Sequence, residues 1–176
     1  LVLISVPGQF AVREAKKALK KDLNVMLFSD NVPVKDELEL KKIAKKKGLL
    51  LMGPDCGTSI INQAPLAFAN IIDKGPIGIV AASGTGAQEV SSIIARNGLG
   101  ISQLIGTGGR DLKENIGGLE MIKDLKALDA DDNTEVIILI SKPPARSISE
   151  KLINEADKVD KKVIINFLGG DKKLLK

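Results

Sequence analysis

Histidine, tyrosine and tryptophan are absent from the 176 residues, and cysteine occurs once. Without histidine the chain supplies no Ser-His-Asp triad, no Cys-His pair and no phosphohistidine. One cysteine and no histidine also leave a transition metal without its usual ligands, so we expect no metal site. A lone cysteine forms no internal disulfide, which favours a reducing, cytoplasmic setting. Any chemistry must therefore use backbone amides, carboxylates, Lys or Arg, or groups from a partner.

Long apolar runs and aromatic side chains are also scarce. No run approaches the ~20 residues that cross a bilayer, so we expect no membrane contact. The net charge is +4, yet only four Phe are present and the lysines are spread over predicted helix faces. We therefore expect a solvated basic surface and no nucleic-acid partner.

The chain does contain a regular alternation of short apolar runs and longer amphipathic segments. Pro33 and Gly48 mark the ends of one helix, while Thr85 and Gln88 fit a capping box at the start of another that Gly98 ends. Further helical patterns lie around 118–128 and 147–158. Seven runs of four to six residues are typical of parallel strands covered on both faces; they are 1–6, 24–28, 49–52, 77–81, 101–105, 135–140 and 163–167.

This alternation breaks once, between Gly53 and Pro76, where Gly, Pro, Asn and Asp interrupt a stretch with no clear helix. We place a domain boundary there. Residues 1–72 contain three predicted strands, which indicates part of a Rossmann-like domain, and a start at Leu1 instead of Met suggests a fragment. Residues 73–176 contain four strands and three helices, close to a flavodoxin-like sheet. The sequence thus predicts an α/β fold with parallel sheets.

The turn Ser83-Gly84-Thr85-Gly86 follows a predicted strand and opens a predicted helix. A helix N-terminus presents unpaired N–H groups and a partial positive charge, and glycines allow a ligand to approach the backbone closely. The site suits a phosphate, phosphoryl or carboxylate group. It matches neither a Walker A loop nor a Rossmann fingerprint. A tight turn with glycines for geometry alone is the competing interpretation.

A second glycine-rich turn, containing Gly108 and Gly109, follows the next strand. Adjacent parallel strands would place it beside the first turn, where it could contribute to the same anion site. Arg110 offers a planar donor fork for a carboxylate or phosphate, unless it simply pairs with Asp111 in solvent.

Three further residues follow strands at the same predicted edge. Asp55 is a candidate general base or an Asx-turn former beside Pro54. Cys56 has no histidine to activate it, so a small buried residue is the favoured interpretation. Lys142 either faces an anion or extends along the surface into solvent.

Taken together, these loops resemble the α subunit of succinyl-CoA synthetase, in the same order along nearly the whole chain. The strings are Ser-Val-Pro-Gly-Gln-Phe (5–10), Met-Gly-Pro-Asp-Cys (52–56), Gly-Ile-Val-Ala-Ala-Ser-Gly-Thr (78–85) and Ile-Gly-Thr-Gly-Gly (105–109). Further segments resemble the FdrA branch of that acyl-CoA synthetase superfamily, at 28–32, 53–59, 65–70, 106–112 and 141–145.

The resemblance implies a partial CoA-binding domain over 1–72 and a succinyl-CoA synthetase-like domain over 73–176. It implies a CoA site lined by Val6, Pro7, Phe10, Asn31 and Pro33, with the family's first CoA-binding turn expected upstream of the chain. It also implies that the turn at 83–86 binds phosphate, with nucleotide or an acyl or carbamoyl phosphate as a further ligand. The family's phosphorylated histidine is expected downstream, and Lys142 stands in the region where a glutamate supports it.

Three functions remain open on these grounds. The first is an acyl-CoA synthetase subunit that assembles with copies of itself or with a second subunit and acts on a small anionic substrate. The second is a carbamoyltransferase subunit acting on oxamate and carbamoyl phosphate in purine nitrogen catabolism, with Arg110 or Lys142 holding the carboxylate. The third is a non-catalytic module that senses CoA or a nucleotide. The catalytic candidates are Arg110, Lys142 and Asp55.

Overall fold

A computed structural model describes residues 1–169, which form nine strands and five helices. In chain order these are β1 (Val2–Ile4), α1 (Gly8–Lys20), β2 (Val25–Leu27), α2 (Val34–Lys47), β3 (Leu51–Met52), β4 (Thr58–Ile61), β5 (Ala64–Ala67), β6 (Lys74–Ala81), α3 (Gly84–Arg96), β7 (Ile101–Gly106), α4 (Leu119–Asp129), β8 (Val136–Ser141), α5 (Arg146–Ala156) and β9 (Lys162–Phe167). The seven predicted strands and four predicted helices are all present within a few residues of their expected ends.

The first sheet is parallel, with strand order β1-β2-β3. Its strands are short and apolar, and α1 and α2 pack on it. Small residues at Ala11, Ala15 and Ala18 let α1 approach closely, and Leu40 and Ala44 form the buried face of α2. Apolar residues at this helical spacing account for the positions of both helices.

The second sheet has the strand order β5-β4-β7-β6-β8-β9. Strands β7, β6, β8 and β9 are parallel, as predicted, whereas β4 is antiparallel to both β5 and β7. The expectation of only three strands within residues 1–72 is therefore wrong, because β4 and β5 lie there and belong to the second sheet. Pro65 lies on the outermost strand, the one place in a sheet where a missing N–H is tolerated.

The two sheets share apolar packing. Met26 and Met52, from the first sheet, lie in the same buried cluster as Val80 and Ile105 of the second sheet. Leu125 of α4 belongs to this cluster too. This mixed α/β architecture with mostly parallel strands confirms the predicted fold class. The chain changes sheets between β3 and β4, and the boundary at 72/73 stays a prediction.

The start of α3 differs from the predicted capping box. Ser83, and not Thr85, is the N-cap, and its Oγ accepts the Gly86 N–H at 3.3 Å. Thr85 lies inside the first turn, and Gln88 points its amide to Thr58 Oγ1 at 3.2 Å. The capping-box assignment is therefore wrong by two residues, because Ser83 has the extended backbone that an N-cap needs.

Candidate functional site

A cleft of about 600 Å³ lies between the two sheets, at the carboxyl ends of their parallel strands. Ligands gather at this edge in open parallel sheets. The first sheet contributes Ser5, Val6, Pro7, Phe28, Asp30 and Asp55 to the lining, and the second contributes Ser83, Gly84, Thr85, Gly109 and Lys142. Both glycine-rich turns and Lys142 therefore open into one cavity, as the order of strands β7-β6-β8 requires.

The first glycine-rich turn presents the N-terminus of α3 to the cleft. A Cβ built on Gly84 would meet only Thr58 Oγ1, at 3.5 Å, so the backbone there is open to a ligand. Gly86 is different: its N–H is taken by Ser83, and a Cβ there would lie 3.1 Å from Ile140 Cγ2. Gly84 thus provides access, while Gly86 allows α3 to pack against β8.

The second glycine-rich turn faces the first across a small void of about 20 Å³ lined by Gly84, Gly108 and Gly109. Gly108 has φ +84, and a side chain there would collide with the carbonyl oxygen of Pro54. The turn is therefore pressed against the loop after β3, and Gly109 is left on the cleft wall.

Arg110 points away from this cleft. Its guanidinium lies 2.8 Å from Glu37 Oε2 and donates to the Val32 carbonyl at 2.7 Å. Both partners belong to α2 or the loop before it, and Arg110 does not contribute to the lining of the cleft. The structure thus pairs Arg110 with Glu37 and not with Asp111, and its assignment as a catalytic candidate stays a prediction.

Lys142 and Asp55 are the two catalytic candidates that the structure brings into the cleft. Lys142 follows β8 and is exposed. Asp55 follows β3 with φ +57, and its N–H donates to the Ser29 carbonyl at 3.0 Å, which ties the loop to the end of β2. Cys56 is buried, and burial raises the pKa of its thiol, which fits the structural role expected for it.

The residues predicted to bind CoA are divided by the structure. Val6 and Pro7 line the cleft, whereas Pro33 lines a neighbouring groove between α1 and α2 with Gly8 and Lys16. Phe10 is half exposed, and Asn31 precedes α2 with φ +53. At Gly8 a side chain would collide with the Asp30 carbonyl oxygen, so the start of α1 packs directly against the loop before α2.

Several residues of the cleft were not predicted from the sequence. Phe28 and Phe68 meet edge to face across the cleft wall, with ring centroids 5.4 Å apart. The Gln88 amide holds the Phe68 carbonyl at 3.0 Å and so links the β4–β5 hairpin to α3. The position of Phe68 depends on the β4–β5 hairpin, which the sequence does not mark with alternating apolar and polar residues.

A buried charge cluster behind the second turn was also missed. Glu37 and Lys41 on α2 are fully buried together with Asp111, and Glu120 and Asp124 lie beside them on α4. The spacing Glu37-Leu40-Lys41-Ala44 is the one available signal, because it puts two charged residues on the apolar face of a helix.

Burial raises the pKa of the Asp124 carboxyl well above its ordinary value, and the neighbouring charge of Glu120 raises it further. Burial likewise raises the pKa of Glu120, against the opposing effect of Lys123. Burial opposes the charge on Lys41, but Asp111 and Glu37 outweigh that effect and the pKa of Lys41 is raised. The carboxylates around Lys41 thus favour its charged form, whereas burial and the charge of Glu120 favour the protonated form of Asp124.

Among residues 1–169, no helix has the length and apolar character needed to span a bilayer. The same part of the chain brings no three His, Cys, Asp or Glu side chains together in a way that could hold a metal ion.

Comparison with known families gives a match over the part of the chain that contains strands β6 to β9. A family model described as the CoA binding domain matches residues 72–170. The chain belongs to this family. The matched segment of this CoA-binding domain contains the turn at 83–86, the turn with Gly108 and Gly109, and Lys142.

Two curated relatives of this CoA-binding domain extend the similarity over both sheets. The uncharacterized protein YahF of Escherichia coli (strain K12) is 59% identical over 168 residues, which is 96% of this chain and 33% of YahF. The succinate–CoA ligase (ADP-forming) subunit alpha of Staphylococcus aureus (strain Mu50) is 27% identical over 173 residues, covering 96% of this chain and 55% of that subunit. The chain therefore spans between a third and about half of these relatives.

A solved structure supports the fold. The ATP citrate lyase from Methanothrix soehngenii, in complex with citrate and coenzyme A, superposes with a TM-score of 0.74 at 20% identity. The match covers 95% of this chain and 29% of the lyase. At this identity the likeness shows that the CoA-binding domain shares an architecture with that protein.

Proposed function

We propose that this domain is part of an acyl-CoA synthetase that holds CoA and a phosphoryl or acyl-phosphate group in the cleft between its two sheets. The observation that carries the proposal is the convergence of both glycine-rich turns and Lys142 on one cavity. A nucleotide would be the source of the phosphoryl group.

The phosphate side of the cleft combines three kinds of donor. The first N–H groups of α3 have no partner within the helix, and the helix dipole adds partial positive charge there. The Ser83 and Thr85 hydroxyls and the Lys142 ammonium line the same cavity. Donors fixed in advance around an anion would also stabilise charge that develops on a transferring phosphoryl group.

The CoA side is the edge formed by the first sheet. Val6 and Pro7 at this edge line the same cleft as Ser83 and Gly84, so a thiol held by the first pair would share one cavity with an acyl phosphate held by the second. The similarity to a succinate–CoA ligase subunit alpha and to a citrate lyase with bound coenzyme A supports CoA as the ligand. It also supports a second subunit as partner and a cytoplasmic site of action. In this proposal CoA and a phosphate group share one cleft.

A second candidate function is carbamoyl transfer between phosphate and oxamate. Lys142 favours it, because a cation in the cleft suits an anionic substrate and none of the 176 residues is a histidine. A non-catalytic module that senses CoA or a nucleotide is the third.

One substitution tests the phosphate site. Gly84→Val places a branched side chain at the mouth of the site, where only Thr58 lies near, so we expect the fold to be kept and orthophosphate binding to be lost. The matched control is Ser147→Val, which puts the same side chain in the first turn of α5. The measurement is isothermal titration of wild type and both variants with orthophosphate. Equal affinity in wild type and Gly84→Val would refute the assignment of the phosphate site to this turn.

Turnover by the full-length protein with its partner subunit separates the three functions. Thioester formation from an acid, CoA and a nucleotide supports the synthetase. Turnover of carbamoyl phosphate without CoA supports the transferase. Ligand binding with neither reaction supports the non-catalytic module.

A further inference from the structure

The buried pair Glu37 and Lys41 on α2 has no role in the cleft itself, yet it contacts the second glycine-rich turn at several points. Lys41 Nζ donates to Asp111 Oδ1 at 2.7 Å and to the Thr107 carbonyl at 3.0 Å, and lies 3.1 Å from Glu37 Oε1. Two hydrogen bonds and one ion pair thus surround the Lys41 ammonium, which has three N–H groups.

Stability alone does not account for such a pair. Lysine and glutamate are almost never fully buried unless paired, and well-packed apolar residues in their place are often as stabilising or more so. Lys41 and Glu37 are both fully buried. Their contacts therefore point to a requirement for a defined geometry.

Those contacts all reach one segment of the second sheet. Lys41 holds Thr107 and Asp111, while Glu37 holds the guanidinium of Arg110 at 2.8 Å. The Thr107 N–H in turn donates to the Ala81 carbonyl at 2.8 Å, at the end of β6. The Thr107 N–H thus bonds the turn to its own sheet, while Lys41 and Glu37 connect it to α2, which packs on the first sheet.

Asp111 extends the connection to α4. Its carboxylate accepts the Met121 N–H at 2.9 Å and the Glu120 N–H at 3.2 Å. The two positive charges, Lys41 and Arg110, balance the two negative charges of Glu37 and Asp111. Gly109, next to Arg110 along the chain, lies on the cleft wall.

We propose that Glu37 and Lys41 are positioning residues that fix the second glycine-rich turn, residues 107–110, against the N-terminus of α3. The inference deepens the proposed function, since the turn they hold forms one wall of the phosphate site. They act through the Thr107 carbonyl and Arg110, and neither touches the ligand.

The test compares two variants of the full-length protein. Lys41→Met alone leaves Asp111 without its counter-charge and Glu37 paired with Arg110 alone, and we expect it to lose thermal stability. The double variant Glu37→Leu with Lys41→Met removes one charge of each sign and keeps Asp111 as the cap of α4. Because Asp111 still lacks Lys41, we expect only part of the lost stability to return.

In the double variant the turn has lost both of its contacts from α2. We expect amide hydrogen exchange to accelerate at least about tenfold at Thr107 and Asp111, whose N–H groups donate to the Ala81 and Gly108 carbonyls, with orthophosphate affinity falling by a similar factor and CoA affinity changing less than about twofold. Unchanged exchange at these two amides in a folded double variant would overturn the proposal. If wild type itself binds no orthophosphate, the proposed function fails, and the exchange rates still decide whether the pair positions the turn.

Discussion

Substitutions at Ser83 separate an effect on the stability of the fold from an effect on phosphate binding. Its Oγ accepts the Gly86 N–H at 3.3 Å, which caps α3, and the hydroxyl hydrogen is left to donate into the cleft. Ser83→Ala removes both interactions. Ser83→Gly removes the hydroxyl but keeps a residue that is tolerated at an N-cap.

The expected magnitudes follow from these contacts. A 3.3 Å cap is long for an N–H···O bond, so we expect Ser83→Ala to cost about 0.5–1 kcal/mol of stability and Ser83→Gly only a few tenths. A hydrogen bond from the hydroxyl to a charged phosphate contributes about 1.5–3 kcal/mol. At 1.4 kcal/mol per factor of ten, both variants should bind orthophosphate about 10- to 150-fold more weakly.

Urea denaturation measures the first quantity, and isothermal titration with orthophosphate measures the second. The two variants should differ in stability and agree in the loss of affinity. If Ser83→Ala loses stability while Ser83→Gly and Ser83→Ala both bind as wild type does, Ser83 is a helix cap only and the role of its hydroxyl in phosphate binding is refuted.

Three other substitutions test the fold, the buried charges and the cleft. Gly78→Ala on β6 would place a Cβ 2.9 Å from Leu128 Cδ1, so we expect urea denaturation to show a loss of about 1–3 kcal/mol, and an unchanged midpoint would contradict the packing. Burial and the charge of Glu120 raise the folded-state pKa of Asp124, so the folded protein binds this proton more tightly than the unfolded protein does. The free energy of unfolding therefore falls as the pH rises from the ordinary Asp pKa of about 3.9 through the raised pKa. Asp124→Asn should make this decline smaller in denaturation curves across pH, because Glu120, whose pKa is also raised, contributes the rest, and an equal slope in the variant would exclude Asp124 as a source. Lys142→Met should weaken orthophosphate binding most at low salt, and a loss of affinity independent of ionic strength would argue against a charge contribution.

The strands that the sequence predicts are those that are apolar on both faces. Runs such as 77–81 and 135–140 lie inside a parallel sheet covered by helices, and this environment selects Val, Ile and Leu without alternation. Strand β5 lies at the edge, contains Pro65 and is mostly exposed, so no apolar run marks it. Strand β4 is buried but includes Thr58 and Ser59, whose hydroxyls accept hydrogen bonds from the Gln88 amide and the Gly106 N–H.

The candidate site likewise has features that local sequence predicts and features that depend on residues far away along the chain. The placement of both glycine-rich turns in one cleft follows from strand adjacency, which local sequence can suggest. The direction of Arg110 does not, since its acceptor at Val32 lies 78 positions away along the chain. Long-range pairing also explains why the sequence alone predicts a solvent-exposed position for Lys41. Its partners Thr107 and Asp111 follow β7 of the second sheet, far away along the chain.

The central claim is that an anion binds at the start of α3, beside the second glycine-rich turn. A titration of the isotope-labelled protein with orthophosphate, followed by amide chemical shifts, tests it directly. We predict saturable shifts at Gly84, Thr85 and Gly109, with none at Arg146 and Ser147 in the first turn of α5, a helix start of the same protein. Equal shifts at both helix starts, or shifts confined to the lysines of α1, would contradict the account.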